Sequence, residues 1–196
     1  HFEIRWERDG GEAAPARSDT AAESGERDAQ SWLLVLPDAA DSIGLAEALR
    51  AAVPGAHLDT LHAGADDFAS ALSLLLEARR FSCVAYAAGA GHDAGGEESA
   101  DGIERTQRLQ CEPFWRLVQA LAARGQLDAR VWVLSRCAFS VQARDERLMP
   151  VHALQNGLAL GLLHEQPKCF AGLVDLDDAT DMALAAAELV RPARHD

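Results

Sequence analysis

Apolar residues along this chain alternate between short continuous runs and longer stretches with helical spacing. Continuous runs predict strands buried on both faces of a sheet, and they lie at residues 32–36, 81–87, 131–134 and 170–176, with a more polar strand at 57–61. Between them, apolar residues recur every three or four positions, which predicts helices at residues 43–53, 68–80, 109–124, 150–166 and 182–190. Regular alternation of strand and helix favours an α/β fold with a mainly parallel sheet and right-handed crossovers.

The first 30 residues do not share this alternation. Phe2, Ile4 and Trp6 are separated by charged residues, the period-two pattern of a half-buried strand, which we expect at the edge of a sheet. The following stretch is rich in Gly, Ala, Ser, Asp, Glu and Arg and has no large apolar residue, so it predicts a flexible linker. The chain therefore divides into an N-terminal edge strand, a linker and a main domain: residues 1–8, 9–30 and 31–196. The absence of an initiator methionine suggests a fragment of a longer protein.

Charge and cysteine usage limit the environment and the partners. The chain has 18 basic and 31 acidic residues, a net charge of −13, which makes nucleic acid and anionic membranes poor partners. No apolar run approaches the roughly 18 to 20 residues that span a bilayer. Four widely spaced cysteines predict buried thiols in a reducing cytosol, so we expect a cytoplasmic protein.

An α/β order of elements raises the hypothesis of a Rossmann-type dinucleotide site. The turn after the first core strand, residues 37–44, has one glycine at its far end and two carboxylates, which oppose phosphate binding. A glycine-rich stretch, residues 89–96, follows the third strand but runs into Glu97 and Glu98 before any helical pattern. We interpret it as a surface loop. The alternative is that this loop binds NAD(P)H in an independent oxidoreductase.

Reduction by a short-chain dehydrogenase needs a tyrosine with a lysine four residues later. Tyr86 is the only tyrosine, Ala90 stands four residues on, and the sole lysine is Lys168. We therefore predict that the chain alone does not carry out this reaction.

Other candidate sites have simpler structural interpretations. The chain has no HExxH or GxSxG motif, and no general base is suggested near Ser135 or Ser140. His57 and His62 bracket a strand and are expected to lie apart. Four acidic residues that could hold Mg²⁺ fit the end of a strand before a capped helix: Asp175, Asp177, Asp178 and Asp181. We predict no catalytic, cofactor-binding or metal-binding residue and no cofactor.

Several segments, read in order, resemble the structural subdomain of modular polyketide synthase ketoreductases. Residues 2–6 are similar to its opening strand, 32–36 to its first Rossmann strand and 117–121 to its long helix. Residues 130–136 resemble the family's RLWLVTR strand. The most specific likeness lies in residues 157–167 and 172–177, which resemble the family patterns WGLGRVxALEHP and GGLVDLD.

This resemblance implies a truncated Rossmann-like three-layer fold without a cofactor. It also implies that NADPH and the catalytic tyrosine belong to a separate catalytic half. Asn156 and Gln166 depart from the family pattern, and the first turn lacks the usual glycines; these changes equally suit a pseudo-ketoreductase. The chain would then be no enzyme by itself and would support neighbouring domains of the same polyketide synthase: the catalytic ketoreductase half, a dehydratase, an enoylreductase or a methyltransferase.

Phe2 and Trp6 are the candidate interface residues for those neighbours, together with apolar side chains of the helix after Pro150. An equally weighted interpretation is that Trp6 only covers this domain's own sheet. A third interpretation of the chain is a separate interaction module for a regulatory partner.

Overall fold

A computed structural model describes residues 30–37, 44–91, 99–139, 148–177 and 182–191. Within these residues the chain forms five strands separated by helices. The strands are β1 (Ser31–Leu36), β2 (His57–His62), β3 (Cys83–Gly89), β4 (Arg130–Arg136) and β5 (Phe170–Leu176).

The helices follow the strands in regular alternation. They are α1 (Leu45–Ala52), α2 (Phe68–Ala78), α3 (Ala100–Thr106), α4 (Glu112–Ala123), α5 (Ala153–Glu165) and α6 (Met182–Leu189). A π-helical segment, Gln107–Cys111, joins α3 to α4, and a 3₁₀ turn, Pro150–His152, precedes α5. No helix in the described ranges is long and apolar enough to cross a membrane.

All four strand pairs are parallel, and the strand order is β2-β1-β3-β4-β5. The predicted α/β fold with a mainly parallel, Rossmann-like sheet is therefore confirmed. The predicted edge strand at residues 1–8 and nearly all of the linker at 9–30 lie outside the described residues.

Two hydrophobic clusters lie between the sheet and its helices, one on each face of the sheet, so the fold has three layers. One cluster joins the sheet to α2, α4 and α5, through residues such as Leu72, Leu117 and Leu162. The other joins it to α1 and α6, through Leu49 and Leu189. Because β1, β3 and β4 are buried on both faces, their sequences are continuously apolar.

The structure corrects the predicted start of the long helix. The helix was predicted to begin at residue 109, after the glycine-rich loop 89–96, but α3 already begins at Ala100. The Ser99 side chain accepts a hydrogen bond from the Gly102 amide at 3.1 Å and so caps this helix. Leu109, where the predicted helix began, lies in the π-helical segment and is 40% exposed.

The helix predicted after Pro150 is present, but its apolar positions face outward. Leu154, Leu158, Leu160 and Leu163 are all at least a third exposed. The inner face of α5 is formed instead by Gln155, Asn156, Ala159 and Leu162. Two polar residues on this face thus lie against the sheet.

Candidate functional site at the carboxyl edge of the sheet

Ligands of α/β proteins bind at the carboxyl ends of the parallel strands. In this chain, polar side chains and backbone groups from three strands and one helix meet at that edge. Ser135 and Arg136 in β4 and His152, Gln155 and Asn156 at the start of α5 are buried. The other contributors are Gly89 at the end of β3, Ala90 after it, the partly buried Asp175 in β5 and the exposed Asp177 after β5.

Arg136 connects the ends of three neighbouring strands. It is the last residue of β4 and is only 1% exposed. Its Nε donates a hydrogen bond to the carbonyl of Ala90 at 2.9 Å, and its Nη1 donates to the carbonyl of Asp177 at 2.6 Å. A guanidinium held in this way satisfies two backbone acceptors where β3 and β5 end. The side chain is fixed as an internal clamp.

Asp175 organises the turn that leaves β4. Its carboxylate accepts hydrogen bonds from the Ser135 hydroxyl at 2.7 Å and from the amides of Ala138 and Phe139 at 3.1 and 3.0 Å. These bonds hold the turn in which Cys137 adopts a φ of 49°. Asp175 is therefore a structural acceptor for the turn after β4.

The start of α5 fills the space above β4. Gln155 donates to the carbonyl of Leu134 at 2.6 Å, and Nδ1 of His152 donates to the carbonyl of Arg136 at 2.6 Å. Asn156 donates to the Ser135 hydroxyl at 3.0 Å. These three side chains are almost completely buried. They fill the space at the carboxyl end of β4. The switch point of this strand order lies between β1 and β3, and residues 38–43 and 92–98, which follow those strands, lie outside the described residues.

Gly89 shows how closely this helix approaches the sheet. A Cβ on Gly89 would overlap the amide group of Gln155. The first glycine of the stretch 89–96 is thus needed for packing against α5. Residues 92–98 of this loop lie outside the described residues, as do residues 38–43 of the first turn.

Tyr86 is not placed to donate a proton to a substrate. It lies in β3, is completely buried, and its hydroxyl donates to the backbone carbonyl of Gln110 at 2.6 Å. Its ring contacts Phe114 edge-on, with centroids 5.0 Å apart. Burial raises the pKa of Tyr86 well above its ordinary value. Lys168 lies in the loop before β5, at the amino ends of the strands, so the structure does not bring it to this tyrosine.

The remaining predicted positions do not converge on a site within the described ranges. His57 lies at the start of β2 and contacts Asp59 at 3.0 Å, whereas His62 ends the strand and pairs with the carbonyl of Pro37 at 3.0 Å. No group of three potential metal ligands occurs among the described residues. Five of the predicted positions lie outside those residues: Phe2, Trp6, Ser140, Asp178 and Asp181.

Three of the four cysteines are buried, and the fourth is partly exposed. Cys83, Cys137 and Cys169 are buried, whereas Cys111 is partly exposed at the end of the π-helical segment. Burial raises the pKa of Cys83 and Cys111, and it raises the pKa of Cys169 to about 11 with a further contribution from Asp128. Since the thiolate is the reactive form, these three thiols are poor nucleophiles at neutral pH.

The sequence analysis did not single out Arg136, His152 or Gln155. Their signal was a polar residue inside an otherwise apolar segment: Arg136 ends an apolar strand, and Gln155 with Asn156 interrupts an apolar helix. Such residues are buried when they satisfy backbone groups, which is the case here.

The fold and the side chains at its carboxyl edge indicate the class of protein without reference to any relative. The chain has a Rossmann-like α/β fold in which the described part of the carboxyl edge, at the end of β4, is filled by its own side chains. No family model matches it. Among curated proteins, it is 32% identical over 167 residues to the pikromycin polyketide synthase component PikAIII of Streptomyces venezuelae, covering 85% of this chain and 9% of that protein. It is also 32% identical over 152 residues to polyketide synthase GfsA of Streptomyces halstedii, covering 74% and 2%.

Comparison with solved structures indicates which region of the synthase this chain resembles. The first ketoreductase of the tylosin polyketide synthase superposes with a TM-score of 0.58 at 26% identity, covering 83% of this chain and 34% of that chain. An A1-type ketoreductase gives 0.57 at 26% identity, covering 86% and 35%. A small-chain dehydrogenase gives 0.61 at 13% identity, covering 85% and 92%, which shows the fold alone.

The homologues of this chain are thus ketoreductase regions of polyketide synthases, and the family resemblance found in the sequence is confirmed at this level. The chain spans about a third of the ketoreductase structures and less than a tenth of the curated synthases it matches.

Proposed function

We propose that this chain is the non-catalytic structural subdomain of a polyketide synthase ketoreductase region. Ketoreduction would then take place in a separate catalytic subdomain, or be absent if the region is a pseudo-ketoreductase. In this proposal the role of the chain is to provide a rigid support for neighbouring domains of the same synthase. The observation that carries this proposal is the filled carboxyl edge of the sheet.

Filling this edge with polar side chains has a chemical consequence. Arg136, Gln155 and His152 each donate to backbone carbonyls, while Nη2 of Arg136 and Oε1 of Gln155 are buried without a hydrogen-bond partner among the described residues. A ligand that entered the space at the carboxyl end of β4 would have to displace these side chains and leave buried carbonyls unpaired, which costs about 1 to 3 kcal/mol for each group. The same contacts stabilise the ends of the strands. The site therefore supports rigidity better than ligand binding.

The environment of Tyr86 supports the same proposal. A proton donor for ketoreduction must reach the carbonyl oxygen of the substrate and must titrate near the working pH. Tyr86 is buried, its hydroxyl is bound to Gln110, and its pKa is raised by burial. Ser135 is equally buried and bound to Asp175. Neither hydroxyl has the access that a catalytic group requires.

Tethering makes a scaffold of this kind effective. Domains in one polypeptide meet at high effective concentration, so that modest interfaces suffice. Phe2 and Trp6 remain our proposed contacts from the N-terminal segment. The partners would be the catalytic ketoreductase half, a dehydratase, an enoylreductase or a methyltransferase of the same synthase.

A fluorescence titration of NADPH against the 196-residue chain tests the proposal. We expect no saturable change up to about 1 mM NADPH. Saturable binding in the micromolar range would contradict the proposal and favour the independent oxidoreductase. A catalytically active ketoreductase serves as the positive control. Repeating the titration with Gln155→Ala shows whether the filled crevice is what excludes the cofactor, since this variant empties part of it.

A further inference from the structure

Three buried side chains at the carboxyl end of β4 each have a polar atom without a hydrogen-bond partner among the described residues. The atoms are Nη2 of Arg136, Oε1 of Gln155 and Oδ1 of Asn156. None of the three residues is more than 1% exposed. A buried polar atom without a partner loses its hydration and gains nothing in return. Three such atoms in one region indicate an occupant that forms hydrogen bonds.

The orientations of the two amide groups are determined by the contacts of their nitrogen atoms. Nε2 of Gln155 donates to the carbonyl of Leu134 at 2.6 Å, and Nδ2 of Asn156 donates to the Ser135 hydroxyl at 3.0 Å. That hydroxyl gives its proton to Asp175, so it accepts from Asn156. Because both contacts require a donor, neither amide can be turned round. Both amide oxygens are therefore acceptors that need a donor.

The three side chains lie near one another because they contact adjoining parts of the backbone. A Cβ on Gly89 would come within 2.8 Å of Oε1 of Gln155, so this amide lies directly against the end of β3. Nε of Arg136 donates to the carbonyl of the next residue, Ala90, at 2.9 Å. Asn156 follows Gln155 on the inner face of α5. One donor and two acceptors thus lie in the same region.

This combination of one donor and two acceptors limits the chemistry of the occupant. A cation would suit the two amide oxygens but would lie near the buried guanidinium of Arg136, and like charges repel. An anion would suit Arg136 but would face both amide oxygens and the carboxylate of Asp175, which is bound to Ser135. Water both donates and accepts, and a buried water typically makes about three hydrogen bonds. Water therefore fits all three atoms.

We propose that the carboxyl end of β4 is a binding site for ordered internal water. The water donates to Oε1 of Gln155 and Oδ1 of Asn156 and accepts from Nη2 of Arg136, so that it links α5 to the end of the strand. Water is far smaller than a nucleotide or an acyl substrate, so the site is compatible with the close packing of Gln155 against Gly89. The inference does not depend on the proposed function, because a catalytic chain would have the same three atoms to satisfy.

High-resolution crystallography of the 196-residue chain tests the site directly, with separate crystals soaked in rubidium and in bromide. We expect a water oxygen about 2.7 to 3.2 Å from the three atoms of Arg136, Gln155 and Asn156, and no anomalous signal from either ion at this position. Anomalous density for bromide or rubidium there would assign the site to an ion and overturn the proposal. Direct hydrogen bonds from protein groups to both amide oxygens would overturn it as well.

Gln126 provides a matched control in solution. It is 3% exposed, and the protein satisfies both ends of its amide: Oε1 accepts from the Phe81 amide at 3.3 Å, and Nε2 donates to the Leu76 carbonyl at 3.0 Å. In NOE spectra between water and isotope-labelled side-chain amides, we expect cross-peaks of long-lived water at Gln155 and none at Gln126. Equal cross-peaks at the two glutamines, or none at Gln155, would contradict the proposal.

A pair of variants tests whether Asn156 holds the water. Asn156→Leu removes one acceptor, and we expect the water cross-peak at Gln155 to be lost while the amide signals of Gln126 stay in place, which shows that the chain is still folded. Gln107→Leu, at an exposed position of the π-helical segment, is the matched variant and should leave the cross-peak at Gln155 unchanged. An unchanged cross-peak in Asn156→Leu would reject the proposed site.

Discussion

The carboxyl end of β4 and the outward-facing sides of α4 and α5 differ in chemistry and in exposure. At the end of β4, polar side chains such as Arg136 and Gln155 are buried and donate hydrogen bonds to backbone carbonyls. On the outward-facing sides of α4 and α5, apolar side chains such as Trp115 and Leu158 are exposed. Under the proposed function, the first region keeps the fold rigid and the second is available to a neighbouring domain.

The largest effect should come from breaking the clamp at the edge. Arg136→Met removes the donor to the carbonyls of Ala90 and Asp177, and we expect a loss of about 2 to 4 kcal/mol in the free energy of unfolding. Urea denaturation followed by circular dichroism measures it. Arg108→Met, at an exposed ion pair, is the matched variant and should stay within about 0.5 kcal/mol. Equal midpoints for the two variants would show that Arg136 is not a structural clamp.

Two glycine substitutions compare the same regions with the same added methyl group. Gly89→Ala places a Cβ against Gln155 and should destabilise the chain by about 1 to 3 kcal/mol. Gly157→Ala places it in open space on α5 and should stabilise the isolated chain by about 0.5 to 1 kcal/mol. Thermal melting of both variants shows whether each substitution raises or lowers the stability of the chain. Destabilisation of the isolated chain by Gly157→Ala would contradict the open space around Gly157.

Tyr86→Phe should have a smaller effect at neutral pH, about 1 kcal/mol, because it removes one buried hydrogen bond. Its pH dependence is more informative. Burial raises the pKa of Tyr86 in the folded chain, so the unfolded chain loses this proton first. The free energy of unfolding should therefore fall as the pH rises above about 10, the ordinary tyrosine pKa.

Tyr86 is the sole tyrosine, so absorbance at 295 nm follows its ionisation alone. We expect this ionisation to coincide with alkaline unfolding, and Tyr86→Phe to weaken the pH dependence in this range. Reversible titration near pH 10 in the folded chain would show that the hydroxyl is accessible.

Much of the fold followed from sequence pattern because the inner strands are buried on both faces, as in β3 and β4. The spacing of apolar residues did not predict which side of each helix packs against the sheet. In α5 the apolar positions predict a helix correctly but lie outside, because Gln155 and Asn156 satisfy groups of β4. The π-helical segment Gln107–Cys111 was not predicted either, because it has no distinct pattern of apolar residues.

The candidate site was foreseen only in part. The lack of a lysine four residues after Tyr86 predicted that this tyrosine is structural, and its burial agrees with that prediction. The hydrogen bonds of Arg136 and Asp175 depend on contacts between distant strands, which no local pattern encodes. The interface roles of Phe2 and Trp6 stay predictions.

Hydride transfer tests the central claim most directly. The 196-residue chain, given NADPH deuterated at C4 and a β-ketoacyl thioester, should yield no deuterated hydroxyacyl product by mass spectrometry, while an active ketoreductase does so under the same conditions. Deuterium in the product, abolished by Tyr86→Phe, would contradict the account.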